Sequence, residues 1–113
     1  MSAITTHILD VSSGSPARGV SVTLERQTLS DWELIGKGVT DDDGRLRDLL
    51  DLEAILQTGN YRLTFDTETY FTQQQIEGFY PQVTVAFTVR DAAQHYHVPL
   101  LLSPFGYSTY RGS

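Results

Sequence analysis

Apolar and polar residues alternate along much of the chain, which predicts several short β-strands. Apolar side chains recur at every second position in residues 20–24, 61–65 and 83–89, which is the period of a strand that buries one face. Residues 5–11 and 32–40 are predicted as further strands. Seven to eight short strands, separated by turns rich in Gly, Pro, Ser and Asp, are typical of an all-β sandwich.

Two segments fall outside this alternation and are candidates for helix. Residues 68–76 are polar with Tyr70 and Phe71 among them, and we predict one short helix there. Residues 49–57 are a second candidate, for a short helical turn. With 113 residues in total, the chain is predicted to form a single domain over residues 1–113.

The C-terminal segment is predicted to be a β-hairpin. Residues 96, 98, 100 and 102 are all apolar and share one strand face, which we expect to face the core. Pro104 and Gly106 signal a turn, so that residues 107–113 form the second strand. His97 is expected to point away from the core, with Tyr110 beside it on the second strand.

The first strand shows the same division of faces. If Thr6 and Ile8 face the core, His7 faces outward on the sheet that also carries the hairpin. Such a surface is not typical of a solvated face and indicates a subunit interface or a cleft. It combines apolar and titratable side chains: His7, Leu9, His97, Leu101 and Tyr110.

Composition narrows the possible functions. The formal net charge of −6 argues against a nucleic-acid partner, which requires a basic surface, but a local cluster of His and Arg can still bind an anionic small molecule. No segment is apolar enough to span a membrane and no signal peptide is visible, so we expect no membrane association and a cytoplasmic location. Cysteine is absent, which excludes a thiol nucleophile.

Three residues are candidates for a catalytic site: His7, Arg45 and His97. Taken singly, each is more often a solvated surface side chain than a functional one. His95 and His97, two residues apart on one strand face, could hold a metal together with His7. No Cys or carboxylate stands at supporting spacing, and no Gly-rich phosphate loop or Gly-x-Ser-x-Gly elbow is present. We therefore expect neither a metal nor another cofactor.

Three separated motifs resemble those of the 5-hydroxyisourate hydrolases, the transthyretin-related proteins of urate catabolism. The first is Thr-His-Ile-Leu-Asp at 6–10, followed by Gly-Ser-Pro-Ala at 14–17. The second is Thr-Asp-Asp-Asp-Gly-Arg at 40–45, and the third is the ending His-Tyr-His-Val-Pro-Leu-Leu-Leu-Ser-Pro with Ser-Thr-Tyr-Arg-Gly-Ser. The Leu-Leu-Ser-Pro-x-x-Tyr-Ser-Thr part is also similar to transthyretin, which lacks the Tyr-Arg-Gly-Ser ending.

The resemblance implies a set of site residues and an assembly. Position by position, it implies catalytic roles for His7, Arg45 and His97. It implies substrate-binding roles for Tyr110, Arg111 and Ser113. In transthyretin the three catalytic positions carry Lys, Glu and Thr. The implied fold is the transthyretin-like (prealbumin-like) sandwich, and the implied assembly is a homotetramer with active sites in a channel between dimers.

The implied reaction is hydrolysis of 5-hydroxyisourate to 2-oxo-4-hydroxy-4-carboxy-5-ureidoimidazoline. It requires a positioned water, a base that titrates near neutral pH and stabilisation of an oxyanion. Histidine suits the base role, but the sequence does not show which histidine is the base. Arg45 would hold a neighbouring histidine neutral, bind the anionic substrate, or both. Two alternatives stay open: a carrier of a small hydrophobic ligand, and a structural sandwich without a site.

Overall fold

The computed structural model describes residues 2–51 and 54–113. In that part of the chain, nine strands form two β-sheets, and there is one short helix. The elements in chain order are β1 Ile4–Asp10, β2 Ser15–Pro16, β3 Ser21–Gln27, β4 Trp32–Val39, β5 Arg45–Leu46, β6 Gly59–Phe65, α1 Thr67–Thr72, β7 Val83–Val89, β8 Tyr96–Ser103 and β9 Gly106–Thr109. The predicted all-β sandwich is therefore confirmed.

One sheet has the order β2–β1–β8–β9, with β5 also paired to β1. Its centre joins the two ends of the chain, because β1 runs parallel to β8 from the pair Ile4–Tyr96 to the pair Asp10–Leu102. The predicted C-terminal hairpin is present as the antiparallel pair β8–β9. Its second strand was predicted over residues 107–113, but it spans Gly106–Thr109, with one further bridge at Gly112. His7 and His97 are thereby carried by adjacent strands, and His95 immediately precedes the second of them.

The second sheet has the order β4–β3–β6–β7 and is antiparallel throughout. Its inward face carries the predicted alternating apolar residues, which are almost completely buried except for the partly buried Phe87. Residues 96, 98, 100 and 102 of β8 are also buried. The two inward faces form one hydrophobic core, and the outward faces are left for other contacts.

The helix is displaced from its predicted position. It spans Thr67–Thr72 rather than residues 68–76, because the Asp66 side chain accepts a hydrogen bond from the Thr69 amide at 3.2 Å and so caps its start. Phe71 anchors the helix in the core. The helical turn predicted for residues 49–57 is wrong where the structure describes it, at 49–51 and 54–57; residues 52 and 53 lie outside the described residues. No helix among the described residues has the length and apolar character needed to cross a membrane.

Candidate active site

The sequence candidates converge on the outward face of the first sheet, around β1. His7 pairs with Arg45 of β5 on one side of β1, and Thr5 pairs with His97 of β8 on the other. Cross-strand partners project from the same face, and neighbouring strands lie about 4.8 Å apart. The sheet therefore brings His7, Arg45 and His97, which are far apart in sequence, onto one small surface.

A tight loop holds Arg45 in position. The Asp41 carboxylate accepts hydrogen bonds from the amides of Asp43 at 2.9 Å and Arg45 at 3.0 Å. Gly44 has a positive φ of 74° and packs so closely on β1 that a Cβ there would lie 2.4 Å from the Ile8 carbonyl oxygen. The hydrogen bond from the Arg45 amide is also the main cause that lowers the pKa of Asp41. The loop thus presents Arg45 directly beside His7.

The loop also orients His7. Its Nε2 lies 2.9 Å from the carbonyl oxygen of Asp43. Because a carbonyl oxygen only accepts, Nε2 must carry the hydrogen in this contact. In the neutral ring the lone pair is then on Nδ1, which is available to accept a hydrogen bond from a ligand or from water.

His97 has the features of a neutral base. It is half-buried, and its Nδ1 lies 2.8 Å from the hydroxyl oxygen of Thr5. Burial lowers the pKa of His97, and the charges of Arg45 and then of His7 and His95 lower it further. No hydrogen bond to its Nε2 is made within the described part of the chain. The lowered pKa favours the neutral ring, whose Nδ1 contacts Thr5 while its Nε2 has no partner among the described residues.

The chain end packs against this ring. Gly112, not Tyr110, is paired with His97, and its amide donates to the His97 carbonyl oxygen at 2.8 Å. The expectation that Tyr110 lies beside His97 was wrong, because the hairpin register fixed by the turn at residues 103–106 places Gly112 opposite. A Cβ on Gly112 would lie 2.7 Å from His97 Cδ2. Only glycine leaves room for the imidazole in this position.

A cleft of about 250 Å³ opens over these groups. It is lined by seven residues: Thr5, Thr6, Arg45, Arg47, His95, His97 and Ser113. All of its lining side chains end in polar groups, and two of them are arginines, which suits a small heterocycle with several carbonyl oxygens. Of the site residues predicted from sequence, Arg45, His97 and Ser113 line this cleft. His7 is paired with Arg45 on the same sheet face but is not among the lining residues.

Two of the predicted substrate-binding residues lie elsewhere. The Arg111 guanidinium stacks 4.5 Å above the Tyr96 ring and donates to the Gln94 side chain at 2.9 Å. Tyr110 is 58% exposed and lines a separate groove that β7 also borders. The contacts of Arg111 therefore hold the chain end against Gln94 and Tyr96. Neither Tyr110 nor Arg111 lines the cleft around His97 in one protomer, so substrate binding by these two residues stays a prediction.

Sequence reasoning missed three residues of the cleft, Thr5, Thr6 and Arg47. Strand parity could have identified two of them, because Thr5 is two residues before His7 and Arg47 is two residues after Arg45. Among the described residues, no group of three or more His, Cys, Asp or Glu side chains is arranged to hold a metal. The side chains that line the cleft supply imidazole, guanidinium and hydroxyl groups.

Comparison with known families agrees with the motifs in the sequence. The family model described as "HIUase/Transthyretin family" matches residues 4–112. The chain belongs to this family. A probable 5-hydroxyisourate hydrolase of Caenorhabditis elegans is 51% identical over 111 residues, which cover 98% of this chain and 82% of the relative. The 5-hydroxyisourate hydrolase of Mus musculus is 46% identical and covers 99% of this chain and 96% of its own.

Solved structures from both branches of the family are similar in fold. The 5-hydroxyisourate hydrolase of Klebsiella pneumoniae has a TM-score of 0.84 at 38% identity and covers 97% of this chain and 98% of its own. Sea bream transthyretin in complex with thyroxine has a TM-score of 0.91 at 34% identity, and the match covers 98% of this chain and 95% of the transthyretin chain. The backbone of the HIUase/Transthyretin family therefore does not separate hydrolase from transthyretin, and the side chains in the cleft must do so.

Proposed function

We propose that this chain hydrolyses 5-hydroxyisourate, with the cleft around His97 as its active site. The observation that carries the proposal is a half-buried histidine of lowered pKa whose Nε2 has no partner among the described residues, placed with Arg45 and His7 on one sheet face. The near-full-length relatives named 5-hydroxyisourate hydrolase support the substrate. The chain is a hydrolase of urate catabolism.

In the proposed reaction His97 is the general base. Its Nε2 takes a proton from a water molecule as the water oxygen bonds to a ring carbonyl carbon of the substrate. The carbonyl π electrons move to oxygen, and the resulting oxyanion collapses with cleavage of the C–N bond. The departing nitrogen takes up the proton from His97, which restores the neutral ring. A lowered pKa suits this role because the base must be unprotonated at neutral pH.

Arg45 and His7 are proposed to act on the charge and orientation of the substrate. The permanent positive charge of Arg45 stabilises the developing oxyanion and disfavours protonation of His97. His7, whose Nε2 is occupied by the Asp43 carbonyl, offers Nδ1 to a ring N–H or to the attacking water. Ser113 at the edge of the cleft contributes a further hydrogen-bonding group.

A carrier of a hydrophobic ligand is the second candidate function. The similarity in fold to a transthyretin that was solved with thyroxine favours it. Against it, the cleft is lined by two arginines and two histidines, and a carrier has no use for a base of lowered pKa. Binding of thyroxine without acceleration of 5-hydroxyisourate decay would favour the carrier.

The proposed assembly is a homotetramer in which the clefts face a channel between dimers. Leu9 and Leu101 lie on the outward face beside the cleft and are already half-buried in one protomer, so that a second copy would bury more apolar surface there. The expected mass is four times the protomer mass of 12.6 kDa, which light scattering after size-exclusion chromatography measures. A monomer at micromolar concentration would contradict the assembly.

The proposed catalytic unit is the single domain of residues 1–113. The cytoplasm, expected from the sequence, stays a prediction, and immunoblotting of fractionated cells would test it. Recovery of the protein in a membrane or secreted fraction would contradict it.

Alanine variants test the site. His7→Ala, Arg45→Ala and His97→Ala should each reduce turnover of 5-hydroxyisourate by about 10²-fold or more, the usual contribution of an acid–base or electrostatic group. Arg18→Ala is the matched control, because Arg18 is an exposed arginine paired with Asp42 outside the cleft, and it should keep wild-type turnover. Circular dichroism should show all four variants folded. Wild-type turnover in all three variants of His7, Arg45 and His97 would contradict the assignment of these residues to the active site.

A further inference from the structure

The hydroxyl of Thr5 lies between two histidine rings. Its Oγ1 is 2.8 Å from Nδ1 of His97 and 3.2 Å from Nε2 of His95, and Thr5 itself is only 3% exposed. The two rings are stacked with their centroids 6.5 Å apart. Because Thr5 is fixed by its pairing with His97 across β1 and β8, this arrangement is built into the sheet.

The valence of a hydroxyl restricts what the two rings can do. A threonine hydroxyl has one hydrogen and can donate only one hydrogen bond, while its oxygen can accept. At most one ring can therefore accept from Thr5. If both rings donated to its oxygen, the hydroxyl hydrogen of the buried Thr5 would have no partner among the described residues, which is costly. The favoured arrangements are those in which one ring accepts and the other donates. The neutral tautomers of His95 and His97 are therefore coupled through one oxygen atom.

Of the two coupled arrangements, only one supports the proposed reaction, and the present inference rests on that proposal. If His97 donates from Nδ1, its Nε2 keeps the lone pair that a base requires, and Thr5 donates to Nε2 of His95. In the reverse arrangement Nε2 of His97 carries the hydrogen and cannot accept one from water. His95 is exposed, so water can accept from its Nδ1–H in the productive arrangement.

We propose that Thr5 is a positioning residue that holds the proton of His97 on Nδ1, with His95 as the acceptor that completes the chain. When His97 takes a proton at Nε2, its Nδ1–H is already bonded to Thr5, so the ring neither turns nor exchanges tautomers during the reaction. Preorganisation of this kind lowers the barrier without strengthening substrate binding. Thr5 therefore affects kcat more than KM.

The charged groups around the cleft do not take over the hydrogen bond between Thr5 and His97. Arg45 and Arg47 line the cleft from the β5 side, His7 lies on β1, and Ser113 stands at the chain end. Among the described residues, the Thr5 hydroxyl makes side-chain hydrogen bonds to the two histidine rings and to no other group. Removal of the hydroxyl should thus change the tautomer and not the net charge of the cleft.

Thr5→Val tests the proposal and Thr5→Ser is its matched control. Valine keeps the shape and β-propensity of threonine but has no hydroxyl, while serine keeps the hydroxyl. We expect Thr5→Val to lower kcat about tenfold, equivalent to about 1.4 kcal/mol, with KM within about twofold of wild type. Thr5→Ser should stay within about threefold of the wild-type kcat. Wild-type turnover in Thr5→Val would overturn the proposal.

A spectroscopic measurement tests the tautomer without turnover. Nitrogen-15 NMR of the histidine side chains should show His97 of the wild type with its proton on Nδ1, and a mixture of tautomers in Thr5→Val. His97 protonated on Nε2 in the wild type would overturn the inference even if the enzyme is active. Absence of hydrolysis by the wild type would instead contradict the proposed function, so the two failures are distinguishable.

The variant His95→Ala independently tests the proposed order of hydrogen bonds, which runs from His97 to Thr5 to His95. Without His95 the Thr5 oxygen still accepts from Nδ1 of His97, so the loss should be smaller than in Thr5→Val and far smaller than in His97→Ala. A loss in His95→Ala as large as that in His97→Ala would reverse the assignment of the base.

Discussion

Gly112 offers the sharpest test of the site geometry, because a single methyl group there should misplace the base. A Cβ at position 112 would lie 2.7 Å from Cδ2 of His97 and 3.2 Å from Cγ of Pro99. Ordinary van der Waals contact begins at 3.4 Å, so the ring and the strand must separate by about 0.7 Å. Gly112 has no positive φ, and the backbone itself therefore accepts alanine.

The separation damages the site whichever partner moves. If the His97 ring moves, its alignment with Thr5 and with the substrate is lost. If the strand end moves, the 2.8 Å hydrogen bond from Gly112 to His97 is weakened, which costs about 0.5–1.5 kcal/mol, and Ser113 leaves the cleft. Misplacement of a catalytic group by about 1 Å can cost 10²-fold in rate. We therefore expect Gly112→Ala to lose between about tenfold and 10²-fold in kcat/KM.

The matched control is Gly106→Ala on the same hairpin. The nearest atom to a Cβ at position 106 is Oγ of Ser103 at 3.7 Å, and Gly106 has no positive φ either. Both variants are assayed by the ultraviolet decay of 5-hydroxyisourate, and their unfolding is followed in urea. Gly106→Ala should keep wild-type kcat/KM, while Gly112→Ala should stay folded and lose activity. Wild-type activity in Gly112→Ala would refute the packing of the chain end on His97 as a requirement for catalysis.

Three further predictions follow from the same contacts. Deletion of residues 110–113 should abolish hydrolysis but leave a folded oligomer by circular dichroism and size-exclusion chromatography; an active truncated protein would contradict a site built from the chain end. Burial and then the charge of Arg45 lower the pKa of His97, so Arg45→Gln should raise that pKa and move the acidic limb of the kcat/KM profile to higher pH; a shift to lower pH would contradict the assignment. Tyr70 donates to the buried Asp10 carboxylate at 2.7 Å, so Tyr70→Phe should cost about 1.5–3 kcal/mol in urea unfolding without loss of turnover; an unchanged midpoint would refute this.

The sandwich was predictable because strand period and burial are local properties of the sequence. Residues 61, 63 and 65 are buried on β6 as their alternation predicts. The helix was less predictable, since its start depends on one capping contact from Asp66 and its end on the fit of Phe71 into the core. Local pattern thus determined which face of each strand is buried, but not where each element ends.

The sequence indicated which residues form the site, but not how they are arranged in space. Motif resemblance selected His7, Arg45 and His97, and parity placed them on an outward face. The parallel pairing of β1 with β8, which brings Thr5 beside His97, joins opposite ends of the chain and leaves no local signal. Similarly, the register set by the hairpin turn places Gly112 rather than Tyr110 opposite His97, and the sequence pattern does not fix that register.

Decay of 5-hydroxyisourate in the presence of this protein is the measurement that tests the account most directly. The substrate is generated in place from urate by urate oxidase, and its ultraviolet absorbance is followed with wild-type protein, with His97→Ala and with no addition. The account predicts that the wild type accelerates the decay in proportion to its concentration, while His97→Ala is slower than the wild type by about 10²-fold or more. Decay with the wild type at the spontaneous rate would contradict the proposed function, and equal acceleration by His97→Ala would contradict the proposed base.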